Sequence, residues 1–155
     1  MSNKIQMEKK ARYINQVGAS VERYMRSGYC CSEAMLLAVA DGFGVEKEAL
    51  PLVQAEAMCG GMKDRSGPCG VLTGGILALG QLGQRVDRGL PVETQFRLRF
   101  EQLAGSLVCK KILAQRPLFS WKSRACRQLT RQGGELLSDL LLDAGVAPDN
   151  GTPSP

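Results

Sequence analysis

Cysteine is the residue type in this sequence that can carry reactive or metal-binding chemistry, at positions Cys30, Cys31, Cys59, Cys69, Cys109 and Cys126. The 155-residue chain contains no histidine. This absence excludes the Ser/His/Asp and Cys/His arrangements that activate nucleophiles. It also excludes zinc and haem sites that take a histidine from this chain. No motif marks out a carboxylate pair or a nucleotide site, so the sequence has no hydrolase or transferase signature.

The spacing of the cysteines matches neither the C-x-x-C of thioredoxin-like proteins nor a ferredoxin run. Their local context is more informative. Cys31 and Cys69 stand where helices are predicted to begin, and the free amides and partial positive charge of a helix N-terminus lower a thiol pKa. Cys109 and Cys126 have basic neighbours that can offset the charge of clustered thiolates, namely Lys110, Lys111, Arg124 and Arg127.

Two cysteines have weaker support as functional residues. Cys30 is predicted to be a space-filling thiol, because Cys31 takes the position at the helix start. Cys59 stands at the mouth of a glycine-rich segment and is a candidate for an additional ligand. The N-terminus shows no secretory signal, so we expect a reducing cytoplasm, where cysteines more often bind metal or react than form structural disulfides.

The elements that must position these thiols are predicted to be helices. No segment alternates polar and apolar residues with period two, so no strand is expected. The sequence favours an all-α bundle of about six helices, with a loosening at Gly133–Gly134 in the last. The predicted helices cover about Lys4–Arg26, Ser32–Gly42, Lys47–Ala57, Val71–Gln84, Pro91–Leu113 and Ser123–Asp143.

Length and composition predict one helical domain over residues 1–145 and a flexible tail over 146–155. No uncharged apolar run is long enough to span a membrane. The net charge is +5, and residues 97–131 hold nine basic side chains against one acid. Such a stretch can attract an anionic partner, but aromatics are only 5%, too few to favour nucleic-acid binding.

Four blocks of the sequence resemble the C_GCAxxG_C_C family, a bacterial and archaeal family of redox-active proteins named for its cysteine pattern. The blocks are YCCSEAMLLA, CGGMKDRSGPCGVLTGGILALG, FEQLAGSLVCKKIL and ACRQLTRQGGELL. The sequence departs from the family pattern at Val71, where the motif has alanine. It also departs at Cys59, which replaces a glycine, and at Cys30, which replaces a polar residue.

The resemblance implies a redox site formed by Cys31, Cys69, Cys109 and Cys126. It assigns cofactor-binding glycines to the GGM turn (Gly60, Gly61) and to the CGxxxG run (Gly70, Gly74). A similar domain in split-Soret cytochromes implies an iron–sulfur centre, and four thiolates without histidine suit such a cluster or another soft metal.

Three alternatives stay open. In metal-free thiol–disulfide exchange, Cys31 and Cys69 would attack and Cys109 or Cys126 would resolve. A four-cysteine zinc site would tie the helices together. A binding module would use the basic surface. We also expect a redox partner protein, and a homodimer formed through the small-residue helices.

Overall fold

A computed structural model of the chain describes residues 2–83, 91–116 and 122–149. Over these residues the chain is α-helical and contains no β-strand, which confirms the predicted all-α class. A 3₁₀ turn covers Lys47–Ala49. Eight helices are seen in the described ranges: α1 (Ser2–Arg26), α2 (Cys31–Phe43), α3 (Leu52–Ala57), α4 (Cys59–Met62), α5 (Gly70–Leu82), α6 (Val92–Ala104), α7 (Cys109–Ala114) and α8 (Lys122–Asp143).

One hydrophobic core joins the long helices. Helix α2 is apolar nearly all round and lies at the centre, packed against α1, α5 and α8. The largest fully buried side chains are Met35, Leu36, Phe43, Phe96, Phe100, Leu137 and Leu141. No described helix is both long and apolar enough to cross a membrane.

The start of α2 is held by Cys30 and by a contact of Ser32 with α3. The N-cap is Cys30, while Ser32 lies inside the first turn and is completely buried. The Ser32 hydroxyl donates to the carbonyl oxygen of Ala55 instead of capping its own helix. Gly44, with φ of 71°, ends α2 in the left-handed conformation that glycine adopts without steric cost.

The predicted single helix from Pro91 to Leu113 is wrong. Helix α6 ends at Ala104, because Gly105 takes a left-handed φ of 84° and caps it. The chain then runs extended through Val108, and a new helix, α7, begins at Cys109. Cys109 therefore stands at a helix start and not inside a long helix.

The predicted interruption at Gly133–Gly134 is also wrong, since α8 continues through both residues. A Cβ at Gly133 would lie 2.2 Å from Cγ1 of Val71, and one at Gly134 would lie 2.7 Å from Cγ2 of Val21. These glycines let α8 approach α5 and α1 closely, so packing outweighs their poor helix propensity.

The sequence predicts that the helical domain ends at residue 145 and that a flexible tail follows it. Val146 is buried, and the Asp149 amide donates to the Gly42 carbonyl at 2.8 Å. Three sequence predictions concern residues outside the described ranges: the end of a helix at Gln84, the loop around Pro117, and the tail beyond Asp149.

Candidate cysteine site

Four cysteine side chains line one cavity of about 320 Å³, which we call the thiol pocket: Cys31, Cys69, Cys109 and Cys126. They come from four different elements. Cys31 begins α2, Cys69 directly precedes α5, Cys109 begins α7, and Cys126 lies in α8. The fold thus brings together residues that are spread over most of the sequence.

Backbone hydrogen bonds hold Cys69 beside Cys109. The Cys69 amide donates to the Leu107 carbonyl at 2.8 Å, and the Cys109 amide donates to the Gly67 carbonyl at 3.0 Å. Between them, Pro68 and Val108 form an isolated antiparallel bridge. The extended segment after Gly105 is what makes this pairing available, so the unpredicted end of α6 is part of the site.

Helix α4 and the turn that follows it supply a second wall through an unusual backbone. Gly60 and Gly61 have φ of 62° and 59°, and φ is also positive at Met62, Lys63 and Arg65. A Cβ at Gly61 would lie 2.4 Å from Cβ of Cys109. Gly61 therefore has to be glycine both for its conformation and for the approach of α7.

The other predicted glycines divide into two roles. Gly60 and Gly70 line the thiol pocket. A Cβ at Gly70 would lie 2.2 Å from Sγ of Cys31, so this glycine leaves room for that thiol. Gly74 packs instead against the backbone of α2, where a Cβ would lie 2.4 Å from the carbonyl oxygen of Ser32.

Two arginines that the sequence did not single out also line the thiol pocket. Arg65 is held in the left-handed turn by its amide, which donates to the Gly60 carbonyl at 2.9 Å. Arg116 follows α7, and its Nη2 is buried without a hydrogen-bond partner among the described residues. The sequence signal for Arg65 was its place within the glycine-rich block; Arg116 was one of nine basic residues in a long stretch.

Burial is the main influence on the pKa of three pocket thiols, those of Cys69, Cys109 and Cys126. It raises the pKa of Cys69 to about 12, and the Val71 amide opposes this only in part. It also raises the pKa of Cys109 and of Cys126, an effect that Arg65 counteracts at both. The lowered Cys69 pKa expected at a helix start is therefore wrong, because loss of solvent outweighs the helix N-terminus.

The remaining cysteines form a disulfide outside the pocket wall. Cys30 and Cys59 are bonded, with their Cα atoms 6.1 Å apart. Cys30 is thus not a space-filling thiol: it is partly exposed and joins the start of α2 to α4. We call these two residues the disulfide pair.

Glu33 lies beside the disulfide pair, and its carboxylate accepts a hydrogen bond from the Cys30 amide, with a distance of 3.1 Å from Oε1 to the amide nitrogen. The ligand atoms of Cys30, Glu33 and Cys59 all lie within 4.8 Å of one another, so this Cys/Glu cluster could hold a metal ion. Thiolate is the ligating form of cysteine, so such binding would require the disulfide to be reduced.

The spacing of the four pocket thiols differs from that of the Cys/Glu cluster. In the part of the chain that the structure describes, the Cys/Glu cluster is the only group of three or more such ligand atoms within 4.8 Å. No three pocket sulfurs approach one another that closely.

The fold and the thiol pocket define an all-helical protein with a partly buried site of clustered cysteines. The chain belongs to the C_GCAxxG_C_C family, whose model, described as "Putative redox-active protein", matches residues 29–140. The resemblance inferred from the four sequence blocks is thereby confirmed. A search of curated proteins and a search of solved structures found no match.

Proposed function

We propose that the protein is an electron carrier that holds an iron–sulfur centre in the thiol pocket through Cys31, Cys69, Cys109 and Cys126. The observation that carries this proposal is the convergence of four thiols from four elements on one cavity of about 320 Å³. Four cysteine thiolates are the usual ligand set of such centres, and the bound centre would supply one-electron transfer.

The charges around the pocket suit an anionic group. Thiolate ligation leaves an iron–sulfur centre with net negative charge, and two guanidinium groups line the same cavity, those of Arg65 and Arg116. Arg116 has a buried Nη2 without a partner among the described residues. A buried donor without an acceptor is unfavourable, and sulfur atoms in the pocket would supply the acceptor.

The spacing of the thiols favours a cluster over mononuclear zinc. A tetrahedral zinc ion with Zn–S bonds of 2.3 Å requires neighbouring sulfurs about 3.8 Å apart. No three of the pocket thiols lie within 4.8 Å of one another. An iron–sulfur centre brings its own irons and sulfides and so spans ligands that are further apart.

Each part of the pocket wall has a defined task in this proposal. The four thiols hold the centre, and they must lose their protons to do so, so loading releases protons. Apolar side chains of Val71, Ile112 and Leu129 line the cavity and limit its contact with water. This limited contact with water and the nearby positive charge are the means by which a protein sets a reduction potential.

Metal-free thiol–disulfide exchange at the pocket has weaker support. The attacking species in that chemistry is a thiolate. Burial raises the pKa of Cys69, Cys109 and Cys126, so these thiols are protonated near neutral pH in the absence of a metal. This protonation disfavours them as nucleophiles.

The test is anaerobic purification, followed by reconstitution with iron and sulfide where needed, with iron, sulfide and zinc assays and a visible spectrum. We expect stoichiometric iron and sulfide. We expect Cys31→Ser, Cys69→Ser, Cys109→Ser and Cys126→Ser each to lose most of the visible absorption. The matched control is the double variant Cys30→Ser/Cys59→Ser, which removes two sulfurs outside the pocket and should keep it.

Two results would overturn the proposal. One is stoichiometric zinc that iron and sulfide do not replace under anaerobic conditions. The other is retention of iron and sulfide in all four single variants, which would place the centre elsewhere.

A further inference from the structure

We propose that the disulfide pair is a second redox site, in which Cys30 and Cys59 exchange between disulfide and dithiol by reaction with a thiol reductant. The site lies outside the thiol pocket and uses the two cysteines by which this chain departs from its family pattern. The proposal does not rest on the iron–sulfur centre.

The two sulfurs differ in access. Cys59 is only 7% exposed, whereas Cys30 is partly exposed at the start of α2. We therefore assign Cys30, the more exposed of the two residues, as the site of attack by an incoming thiolate. Directional access of this kind distinguishes an exchange site, with one attacked and one released sulfur, from a bond buried on both sides.

The surroundings of Cys59 accommodate the reduced form as well as the disulfide. Oγ of Ser32 lies 3.1 Å from Sγ of Cys59, and the Ala55 carbonyl oxygen lies 3.4 Å from the same sulfur. The Ser32 hydroxyl gives its own proton to Ala55, which leaves its oxygen free to accept the S–H of Cys59. The released thiol thus meets hydrogen-bond acceptors in the interior.

The backbone places no obstacle in the way of either state. The Cα separation of 6.1 Å lies within the usual range for disulfides. Cys30 is fixed as the N-cap of α2, with its amide bonded to Glu33, and this bond does not depend on the disulfide. Rotation of the two side chains can therefore separate the thiols without a change of fold.

The exchange balances in two steps. A reductant thiolate forms a bond to Sγ of Cys30 while the bond between Cys30 and Cys59 breaks, and Cys59 leaves with the electron pair and takes a proton. A second reductant thiol then attacks the mixed disulfide and releases Cys30 as a thiol. Overall, two reductant thiols are oxidised to one disulfide, and their two electrons and two protons pass to the disulfide pair.

The test is equilibration of the full-length native protein in buffers of reduced and oxidised glutathione, followed by alkylation. Fragment-ion mass spectrometry assigns the label separately to Cys30, Cys31 and Cys59. We expect labelling of Cys30 and Cys59 to rise together from nearly none to nearly complete as the buffer becomes reducing, while the helical circular dichroism is unchanged. A pair that stays oxidised in reduced glutathione until the protein unfolds is structural only and overturns the proposal.

Trapping with single variants tests the direction of attack. With oxidised glutathione, Cys59→Ser should form a mixed disulfide at Cys30 at least tenfold faster than Cys30→Ser forms one at Cys59. Equal rates in two folded variants would contradict the assigned roles. The titration of the unmodified protein needs no variant, and parallel metal assays of the thiol pocket separate failure here from failure of the proposed centre.

Discussion

Arg116 shows how a single side chain can report on what the thiol pocket holds. Its guanidinium lies in the pocket wall with Nη2 buried and unpartnered within the described structure. A buried donor without an acceptor is unfavourable. Beside an anionic centre it would both donate a hydrogen bond and stabilise added negative charge.

We therefore expect Arg116→Met, in reconstituted protein, to shift the reduction potential to more negative values and to speed loss of iron. Reduction adds an electron, and removal of a neighbouring positive charge makes that addition less favourable. Arg124→Met is the matched control, because Arg124 is exposed on α8 and does not line the pocket. Potentiometric titration followed in the visible spectrum measures the effect, and equal shifts in the two variants would contradict a local role.

Tyr13, which is far from the cysteines, makes the stability of the protein depend on pH. Burial raises its pKa to about 12, with the Asp149 amide opposing and the Asp149 carboxylate adding to the rise. The folded protein thus holds the phenol proton more tightly than the unfolded chain does. Stability from this residue is complete below pH 10 and is lost as the pH rises towards 12.

We expect Tyr13→Phe to remove this part of the alkaline loss of stability. At pH 7 the variant should be within about 1 kcal/mol of the native protein, because a single neutral hydrogen bond contributes no more than about that amount. Between pH 10 and 12 the native protein should lose up to about 2–3 kcal/mol relative to the variant, less where solvent screens the ring. Urea unfolding of both proteins between pH 10 and 12 measures this difference. If their free energies of unfolding fall equally with pH, Tyr13 is not the residue responsible.

At the scale of elements, the site depends on how closely helices approach one another. Gly74 of α5 meets the backbone of α2 at Ser32, where neither partner can move aside without separating the helices. Ser32 is adjacent to Cys31, so this contact also fixes the distance from α5 to one of the four thiols.

We expect Gly74→Ala to lower the free energy of unfolding by about 1–3 kcal/mol, the usual cost of overpacking. Gly80→Ala in the same helix is the matched control, since a Cβ there meets nothing within 4 Å. That variant should be more stable by roughly 0.5–1 kcal/mol, because alanine favours a helix interior. Urea unfolding of both proteins tests the pair, and a loss of bound metal in Gly74→Ala without a loss of stability would favour a direct binding role instead.

The glycines also show what the sequence could predict about the elements and what it could not. Gly44 caps the end of α2, close to the helix end that the sequence predicts at Gly42. Gly105 ends one unexpectedly, whereas Gly133 lies inside one, although each is glycine in a helical context. The difference arises from Val71, which packs against Gly133 from another helix. The local sequence does not contain that contact. Sequence analysis therefore predicts which segments are helical better than it predicts where the helices end.

The same reasoning applies to the cysteines. Sequence context singled out the four thiols that line one cavity. The family resemblance marks all four, predicted helix starts support Cys31 and Cys69, and basic neighbours support Cys109 and Cys126. It could not reveal that Cys30 meets Cys59, since their 29-residue separation is closed only by the docking of α3 and α4 on α2. Nor could it set the Cys69 pKa, which depends on the depth of burial.

At the scale of the whole molecule, some side chains of the basic stretch form ion pairs within the chain. Arg131 contacts Glu22 at 3.1 Å and Glu135 at 2.8 Å, and Arg99 lies 3.6 Å from Asp139. Parts of the basic stretch are therefore committed to contacts within the chain. A redox partner, an anionic partner and a homodimer remain predictions.

The disulfide pair should contribute to global stability through the unfolded state. It closes a loop with a sequence separation of 29, and a loop of this length corresponds to about 3–4 kcal/mol. We expect chemical reduction to lower the free energy of unfolding by about that amount. The double variant Cys30→Ser/Cys59→Ser should show the same lower stability and no response to reductant; a response there would place the effect in other cysteines.

The backbone pairing between the segments at Cys69 and Cys109 has a consequence for local opening. The amides of Cys69, Cys109 and Lys110 donate to carbonyls in the opposite segment, at 2.8, 3.0 and 2.9 Å. These bonds lie outside the helices and can break without unfolding of the core. Deuterium uptake at these three amides would therefore measure how often the two segments separate. A bound centre that spans both segments would slow this uptake and leave the uptake of amides inside α2 unchanged.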